Sequence, residues 1–341
     1  MKIAAVGTTK NEADVIEAFV RHNARFVDAF YFIDESVDST REILLKMSQE
    51  GFKITILNSS STVYEQRLLI TSALRVLAES DAFDWVFLLD ADEFLPDLER
   101  SELELLLASL PPRHLASMNW KTYIPTSSDY HSFDDPISQM FLPRSTEGPG
   151  MPIYKVCVPT TIIGDIIVDP GNHGAHDARS GASVRVQNLP IPLCHVPVRS
   201  IEQIIVKNIV AAHVTSMKEH KTAVEGWHVY ASLEQMRSRN FEVSYDELKR
   251  VALNYAIDKA PEGLDINLQG RPLRTTPVRM NYHSLRYRNP IAALDREMEA
   301  MARQIAMHRK AATATRRTLE AAQESLQSAM GALAATQSKS T

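Results

Sequence analysis

Along the first third of the chain, short uninterrupted apolar runs alternate with stretches whose apolar residues recur every three or four positions. The uninterrupted runs read as strands buried on both faces, and the longer recurrence reads as helices with one buried side. On this pattern residues 2–8 form a first strand, and residues 12–25 a helix with Val15, Ile16, Phe19 and Val20 on one side. Residues 29–33 form a second strand. Asp38 or Ser39 caps the next helix, which carries Ile43, Leu44 and Met47 and stops at Gly51. Residues 53–57 give a third strand, 63–78 a third helix, and Trp85-Val86-Phe87-Leu88-Leu89 a fourth strand. Strand alternating with helix predicts an α/β, Rossmann-like, mostly parallel sheet flanked by helices. Ligands bind at the carboxyl edge of such a sheet. Four polar loops collect there, at 8–12, 34–40, 58–62 and 90–94.

Beyond the fourth strand the pattern loosens. Residues 101–110 read as a helix, 118–123 as a strand, and 154–158 and 161–168 as short strands separated by Pro and Gly. The Pro- and Gly-rich stretch 141–152 is a lid candidate. Residues 233–256 read as helices. The segment 271–290 holds Arg271, Arg274, Arg279, Arg286 and Arg288 without an acidic residue; it suits anionic lipid headgroups, a phosphorylated acceptor or a loop tied to the core. From Ile291 a heptad runs through Leu294, Met298, Met301, Ile305, His308, Ala312, Thr315 and Leu319. It predicts a C-terminal helical extension over 291–336 that forms a coiled coil and a homo-oligomer, with a disordered tail at 337–341.

With 44% hydrophobic and 23% charged residues the composition is that of an ordinary globular protein. A net charge of −5 argues against a general nucleic-acid binder. Cys157 and Cys194 are too few for a disulfide framework, which makes a reducing cytoplasm the default. Lys10, Glu12 and Asp14 interrupt the start before a signal-peptide core can form. No apolar segment approaches the roughly 18 residues a membrane span needs, so any membrane contact is expected to be peripheral, at the inner face.

Candidate chemistry begins at Asp90-Ala91-Asp92-Glu93, where the fourth strand leaves the sheet. From an extended backbone Asp90 and Asp92 point the same way and share one Mn²⁺ or Mg²⁺; the bland alternative is an acidic loop capping the helix at 101–110. Asp34 accepts hydrogen bonds from a base or ribose. Lys10 and Glu12 touch a nucleotide, unless Glu12 only favours the positive end of its helix. Arg67 pairs with a phosphate or with Asp90. Trp120 and Tyr123 stack on an acceptor sugar or serve as core. An imidazole is a good third ligand to a cation held by two carboxylates, which brings in His195 and, second, His173. No Gly-x-Gly-x-x-Gly and no Gly-rich Lys-Ser/Thr loop is present, so phosphates fall to a metal and side chains.

Three segments in order resemble one family: Thr9-Lys10-Asn11-Glu12-Ala13-Asp14-Val15-Ile16-Glu17, Ile33-Asp34-Glu35-Ser36-Val37-Asp38-Ser39-Thr40 and Leu89-Asp90-Ala91-Asp92-Glu93-Phe94. They are similar to the ordered signature of family-2-like glycosyltransferases of the GT-A fold, in a bacterial subgroup with an Asp-x-Asp-Glu-Phe motif. In that signature Asp-Asp-x-Ser is common, whereas here Glu35 follows Asp34 and Ser36 comes one place early. The resemblance implies a nucleotide-sugar donor, Asp34 near the base or ribose, Asp92 on a metal that bridges the diphosphate, and Asp90 between ribose and metal. It divides the chain into a donor half at 1–115, an acceptor half at 116–225, a helical and basic extension at 226–290, and the amphipathic helix. Lys155 resembles a Lys that the subgroup places on its strand facing the donor. Leu193-Cys194-His195-Val196-Pro197-Val198-Arg199-Ser200 resembles the subgroup's His-x-Pro-x-Arg-Ser element, with Gln203 and Lys207 one turn apart behind it. Arg199 and Lys207 then neutralise the leaving diphosphate.

The implied reaction is inverting transfer of a sugar to an acceptor hydroxyl on a glycan or lipid-linked acceptor, in cell-surface glycan or polysaccharide synthesis. Asp165, Asp169, Asp177 and His176 are candidate bases, with Asp169 and Asp177 preferred. Two other classes fit the same features: a non-catalytic nucleotide-sugar or glycan-binding module, and a metal-dependent nucleotidyltransferase.

Overall fold

The structure is a computed structural model that describes residues 1–57, 66–79, 82–130, 133–139, 141–144, 147, 152–216, 227–256, 273–286 and 289–337. Its N-terminal alternation is β1 (Ile3–Thr9), α1 (Ile16–Asn23), β2 (Ala29–Asp34), α2 (Thr40–Gln49), β3 (Ile54–Leu57), α3 (Gln66–Ala78) and β4 (Trp85–Leu88). The four strands are parallel, in the order β3-β2-β1-β4. Side chains alternate across a strand, so an uninterrupted apolar run supplies two cores. Ile3, Ala5, Trp85 and Phe87 face Phe19 of α1 and Ile43, Leu44 and Met47 of α2. Ala4, Val6, Val86 and Leu88 face Leu69, Ile70, Ala73, Leu74 and Leu77 of α3. The result is a three-layer sandwich.

The chain continues through β5 (Glu93–Phe94), α4 (Arg100–Ala108), β6 (Leu115–Pro125), α5 (Pro136–Gln139), β7 (Phe141–Pro143) and β8 (Tyr154–Pro159). Next come β9 (Ile166–Val168), β10 (Ala175–Asp177), β11 (Val186–Asn188) and β12 (Leu193–His195). The last helices are α6 (Ile201–Ser216), α7 (Trp227–Ser238), α8 (Tyr245–Leu253) and α9 (Pro290–Gln337). β8 pairs antiparallel with β4 and with β6, and β12 lies between β6 and β5, so the parallel sheet grows into a mixed one beyond β4. β9 and β10 form a separate two-stranded sheet. The chain clusters into two compact units, Met1–Leu294 and Asp295–Thr341.

Three expectations change. The first helix begins at Ile16 rather than at 12, because Asn11 takes a left-handed φ of 58° and the next two amides leave the helix direction. Those amides, of Glu12 and Ala13, donate instead to Thr40 Oγ1 at 2.9 Å and Asp38 Oδ2 at 3.1 Å, which staples the first loop to the second. The run at 161–168 divides into a 3-10 turn at Thr160–Ile162 and β9, with Gly164 between them.

The basic segment is sewn to the body. Arg274 is bonded to the fully buried Asp135, whose carboxylate also accepts from the Val278 amide at 2.7 Å. Arg286 donates to the carbonyls of Phe133 and Asp134, each at 3.1 Å. The amides of Asn281 and Tyr282 bind Glu17 at 2.6 and 3.0 Å. Arg274 and Arg286 are buried and turned inward onto these partners, with Arg274 Nε left without one among the described residues, so they anchor a strap and do not meet a headgroup or an acceptor. Arg279 is exposed, while Arg271 and Arg288 lie outside the described residues. Among the described residues no helix is long and apolar enough to cross a membrane.

The strap creates an acid-sensitive point. His22 is fully buried, bonded to the Leu95 carbonyl at 2.7 Å and faced by Arg274 at 3.2 Å. Burial pushes its imidazole down to about 3, and Arg274 adds to this against the pull of the Leu95 carbonyl. The unfolded chain therefore takes up this proton first as the pH falls. Stability from His22 is complete above about pH 6.5 and is lost below it by up to ~1.4 kcal/mol per pH unit. Urea midpoints at pH 7 and 4.5 should converge in His22→Gln relative to the parent; equal slopes in both proteins would refute the assignment.

Candidate active site

The carboxyl edge of β1, β2 and β4 is built as one hydrogen-bonded rim. Thr9 and Asp34 end neighbouring strands in register, and Thr9 Oγ1 donates to Asp34 Oδ1 at 2.9 Å. Asp34 Oδ2 is buried and has no hydrogen-bond partner among the described residues, with Arg41 at 3.9 Å. An unpaired buried carboxylate oxygen is costly and calls for a donor. The Asn11 amide donates to Ser36 Oγ at 2.9 Å and Asn11 Oδ1 accepts from the Val37 amide at 2.9 Å, so the early serine holds the loop on which Lys10 and Glu12 sit.

The acidic tetrad is a turn, not an extended strand end. The Glu93 amide donates to the Asp90 carbonyl at 3.0 Å, and the chain reverses into β5. Period-two alternation therefore does not apply, and the two aspartates have separate partners. Asp90 is bonded to Lys155 of β8 and accepts from Gln66 at 3.2 Å. Asp92 is bonded to Lys207 of α6 at 3.0 Å, with His195 Nε2 at 3.7 Å and Arg199 at 3.8 Å. Glu93, fully buried, joins the two halves: it accepts from the Asp90 amide at 2.9 Å and from Trp120 Nε1 at 2.8 Å, and lies 3.4 Å from Lys155.

Electrostatics follow from this packing. Burial pushes Glu93 up to about 8 against the pull of Lys155, and Glu12 up to about 7 against Arg199 and Lys207. Burial acts on Asp92 too, but Lys207, His195 and Arg199 outweigh it and hold that carboxyl below its ordinary range. Burial lowers His195 to about 3, leaving a neutral imidazole beside a carboxylate. Its ring stacks on Trp120 at 3.9 Å and meets the edge of Tyr255 at 5.5 Å, while its buried Nδ1 has no hydrogen-bond partner among the described residues. Five carboxyl groups (Glu12, Asp14, Asp90, Asp92, Glu93) thus face three cations (Lys155, Arg199, Lys207). Among the described residues this leaves two more carboxyls than cations, and the upward shifts of Glu12 and Glu93 mean that protonation of these two offsets the difference.

Two donors of metal-binding type lie together here. A carboxylate oxygen of Asp92 and a neutral imidazole nitrogen of His195, 3.7 Å apart, match the ligand types that Mn²⁺ accepts. Among the described residues no three His, Cys, Asp or Glu side chains form a group that could hold a metal ion.

No protein-family model matches the chain, and no curated protein matches it. Among solved structures it is similar to S. aureus TarS, at 14% identity and a TM-score of 0.35 over 75% of this chain and 55% of that one. It is also similar to the mannosyltransferase PcManGT from Pyrobaculum calidifontis in complex with GDP-Man and Mn²⁺, at 14% identity and a TM-score of 0.36 over 76% of each chain. A third is mannosyl-3-phosphoglycerate synthase from Rubrobacter xylanophilus, at 20% identity and 0.28 over 36% of this chain and 41% of that one. The chain thus spans about half the length of the first of these. These scores are all below 0.5, and function is read from the crevice itself.

Several expected site residues are placed differently by their partners. Arg199 is almost fully buried and grips Asp14 through two bonds, at 2.6 and 3.0 Å, and Glu12 at 2.6 Å, so its donors are committed before any diphosphate arrives. Arg67 is not the partner of Asp90; Gln66 is, and Arg67 Nε is buried without a partner among the described residues. His173 Nδ1 bonds the Tyr154 carbonyl at 2.6 Å, and its Nε2 lies against Gly171, where a Cβ would be 2.5 Å away; the ring pins the turn and is a poor metal ligand. Tyr123 is buried with its hydroxyl 3.7 Å from Cys194 Sγ, a core position. Trp120 is spent on His195 and Glu93. Asp177 caps an exposed turn through Ser180 and Arg179, and Asp165 faces Arg113 at 3.7 Å, whereas Asp169 holds His176 Nδ1 at 3.0 Å.

Of the lid candidate, the described part is β7, Arg144, Glu147 and Pro152. Glu147 accepts from the Thr122 amide and hydroxyl, each at 2.8 Å, and Arg144 donates to the carbonyls of Leu253 and Tyr255. This clasp holds the end of α8 so that Tyr255 reaches His195. Tyr255, Asp14 and the hub role of Glu93 carry no periodic signal. Only the resemblance brackets Asp14 and Glu93, and nothing in the sequence brackets Tyr255.

Proposed function

We propose that the chain is a divalent-metal-dependent glycosyltransferase that takes a nucleotide-sugar donor and transfers its sugar, with inversion, to a hydroxyl of a glycan or lipid-linked acceptor. The observation that carries this reading is the Asp92–His195 pair at the carboxyl edge of a parallel sheet whose other corner presents Asp34 Oδ2, buried without a hydrogen-bond partner among the described residues. A nucleotide base or ribose would satisfy Asp34, while Asp92 and His195 would hold Mn²⁺ or Mg²⁺, whose charge would offset the diphosphate's as it departs. Lys207, partly exposed, is the cation with room to follow the leaving phosphate; Lys155 fixes Asp90 and Glu93 in register beneath it. Asp169, oriented against His176, is the favoured base.

The test is a panel of UDP- and GDP-sugars incubated with the protein, with Mn²⁺ or with chelator. The expected outcome is metal-dependent release of the nucleoside diphosphate and, with acceptor, a product of inverted anomeric configuration by NMR. Binding without turnover would make the chain a recognition module. Pyrophosphate released from a nucleoside triphosphate and a sugar phosphate would make it a nucleotidyltransferase.

A further inference from the structure

The second compact unit carries a surface that the proposed reaction does not use. Between Ala300 and Leu319 the sequence has no acidic residue and holds Arg303, His308, Arg309, Lys310, Arg316 and Arg317. The helix is continuous through this stretch, and every residue from Ile305 to Leu319 is exposed. Arg303, Lys310 and Arg317 recur every seventh position, and Arg309 and Arg316 run beside the latter two, so the positive charge falls on one side of the helix. Arg303 is paired with Glu299 at 2.7 Å. Ile305, Ala312 and Leu319 recur with the same spacing, two residues further on and therefore about 200° around the helix. Ile305 is 48% and Leu319 58% exposed.

A second copy of the chain is the occupant that the heptad predicts, but the charges do not suit it. With Ile305, Ala312, Leu319, Met301, His308 and Thr315 as the seam, Arg309 and Arg316 flank it and face Gln304, Ala311 and Thr318, none of them acidic. The seam itself is thin at its centre, where Ala312 and Thr315 offer little area. An anionic bilayer surface matches the apolar row and the arginines that flank it: its acyl boundary accepts Ile305, Ala312 and Leu319, its headgroups meet Arg309 and Arg316, and Lys310 and Arg317 on the far side add to the long-range attraction.

We infer that residues 300–319 of α9 are a docking surface for an anionic lipid bilayer, on which the helix lies parallel to the membrane plane. The segment replaces the strap at 273–286 as the membrane-facing part of the chain, and the inference does not depend on the catalytic reading.

The test is flotation of the full chain with phosphatidylcholine vesicles, with and without phosphatidylglycerol. The parent should float only with the anionic vesicles, and less so as salt is raised. Replacing Arg309, Lys310, Arg316 and Arg317 together by Gln, which keeps helix propensity, should lower partitioning on the order of a thousandfold. Replacing Ile305 and Leu319 by Gln should weaken it with all charges in place. Failure of the parent to bind anionic vesicles, or equal binding by the charge variant, overturns the inference. A dimer in sedimentation that is lost with Ile305 and Leu319, without vesicle binding, assigns the surface to a second copy. Binding of a DNA duplex that ignores those two substitutions assigns it to nucleic acid.

Discussion

Asp92→Asn is expected to lower metal-dependent turnover of the nucleotide sugar by about two to three orders of magnitude, the scale set by removing one strongly engaged electrostatic group from a buried site. The substitution removes the negative charge that faces His195 and Lys207 and leaves a single oxygen acceptor in place of two. It should leave folding nearly intact. Arg199 keeps Asp14 and Glu12, and Lys207 is partly exposed, so neither cation is stranded. The parallel change Asp90→Asn touches a different circuit, in which Lys155 retains Glu93, and should preserve a larger share of the rate. Single-turnover rates with saturating Mn²⁺, together with thermal unfolding of each variant, check both statements. Unchanged turnover in Asp92→Asn would remove the metal assignment.

Arg199→Met is expected to cost about 3–5 kcal/mol of folding free energy, because it leaves buried carboxylates without their counter-ion. The arginine is 1% exposed and is the tie between the start of α6 and the first loop, across 185 residues of sequence. Set against a total stability of roughly 5–15 kcal/mol, the loss is a large fraction. Urea denaturation measures it. Combining Arg199→Met with Asp14→Asn should return part of the loss, and the double-mutant cycle should give a coupling above about 0.5 kcal/mol. An unshifted midpoint in the single variant would show that the pair does not hold the loop.

The donor-side fold was legible because parallel strands covered on both faces leave uninterrupted apolar runs, and because loops at one sheet edge follow from the alternation alone. The position of Asp90-Ala91-Asp92-Glu93 was legible for the same reason. Its shape was not. The turn depends on the Glu93 carboxylate, and that group is held by Trp120 and Lys155, contacts that no local pattern announces. The His-x-Pro-x-Arg-Ser resemblance points Arg199 at a leaving diphosphate, yet Asp14, half a chain away, claims it first. The arginines of the strap looked like a basic surface because a one-dimensional count of charge cannot reveal that Asp135 and two carbonyls await them.

Gly7 fixes something that the other residues of the crevice only use. A methyl group at this position would lie 2.2 Å from the carbonyl oxygen of Leu89, the residue that leads into Asp90. β1 and β4 therefore leave no room for a side chain here, and the backbone entering the acidic turn packs directly on Gly7. A larger residue at position 7 would force β1 or the Leu89 carbonyl to shift, at the point where the chain enters Asp90. The entry to the acidic turn is thus set by a hydrogen atom at position 7.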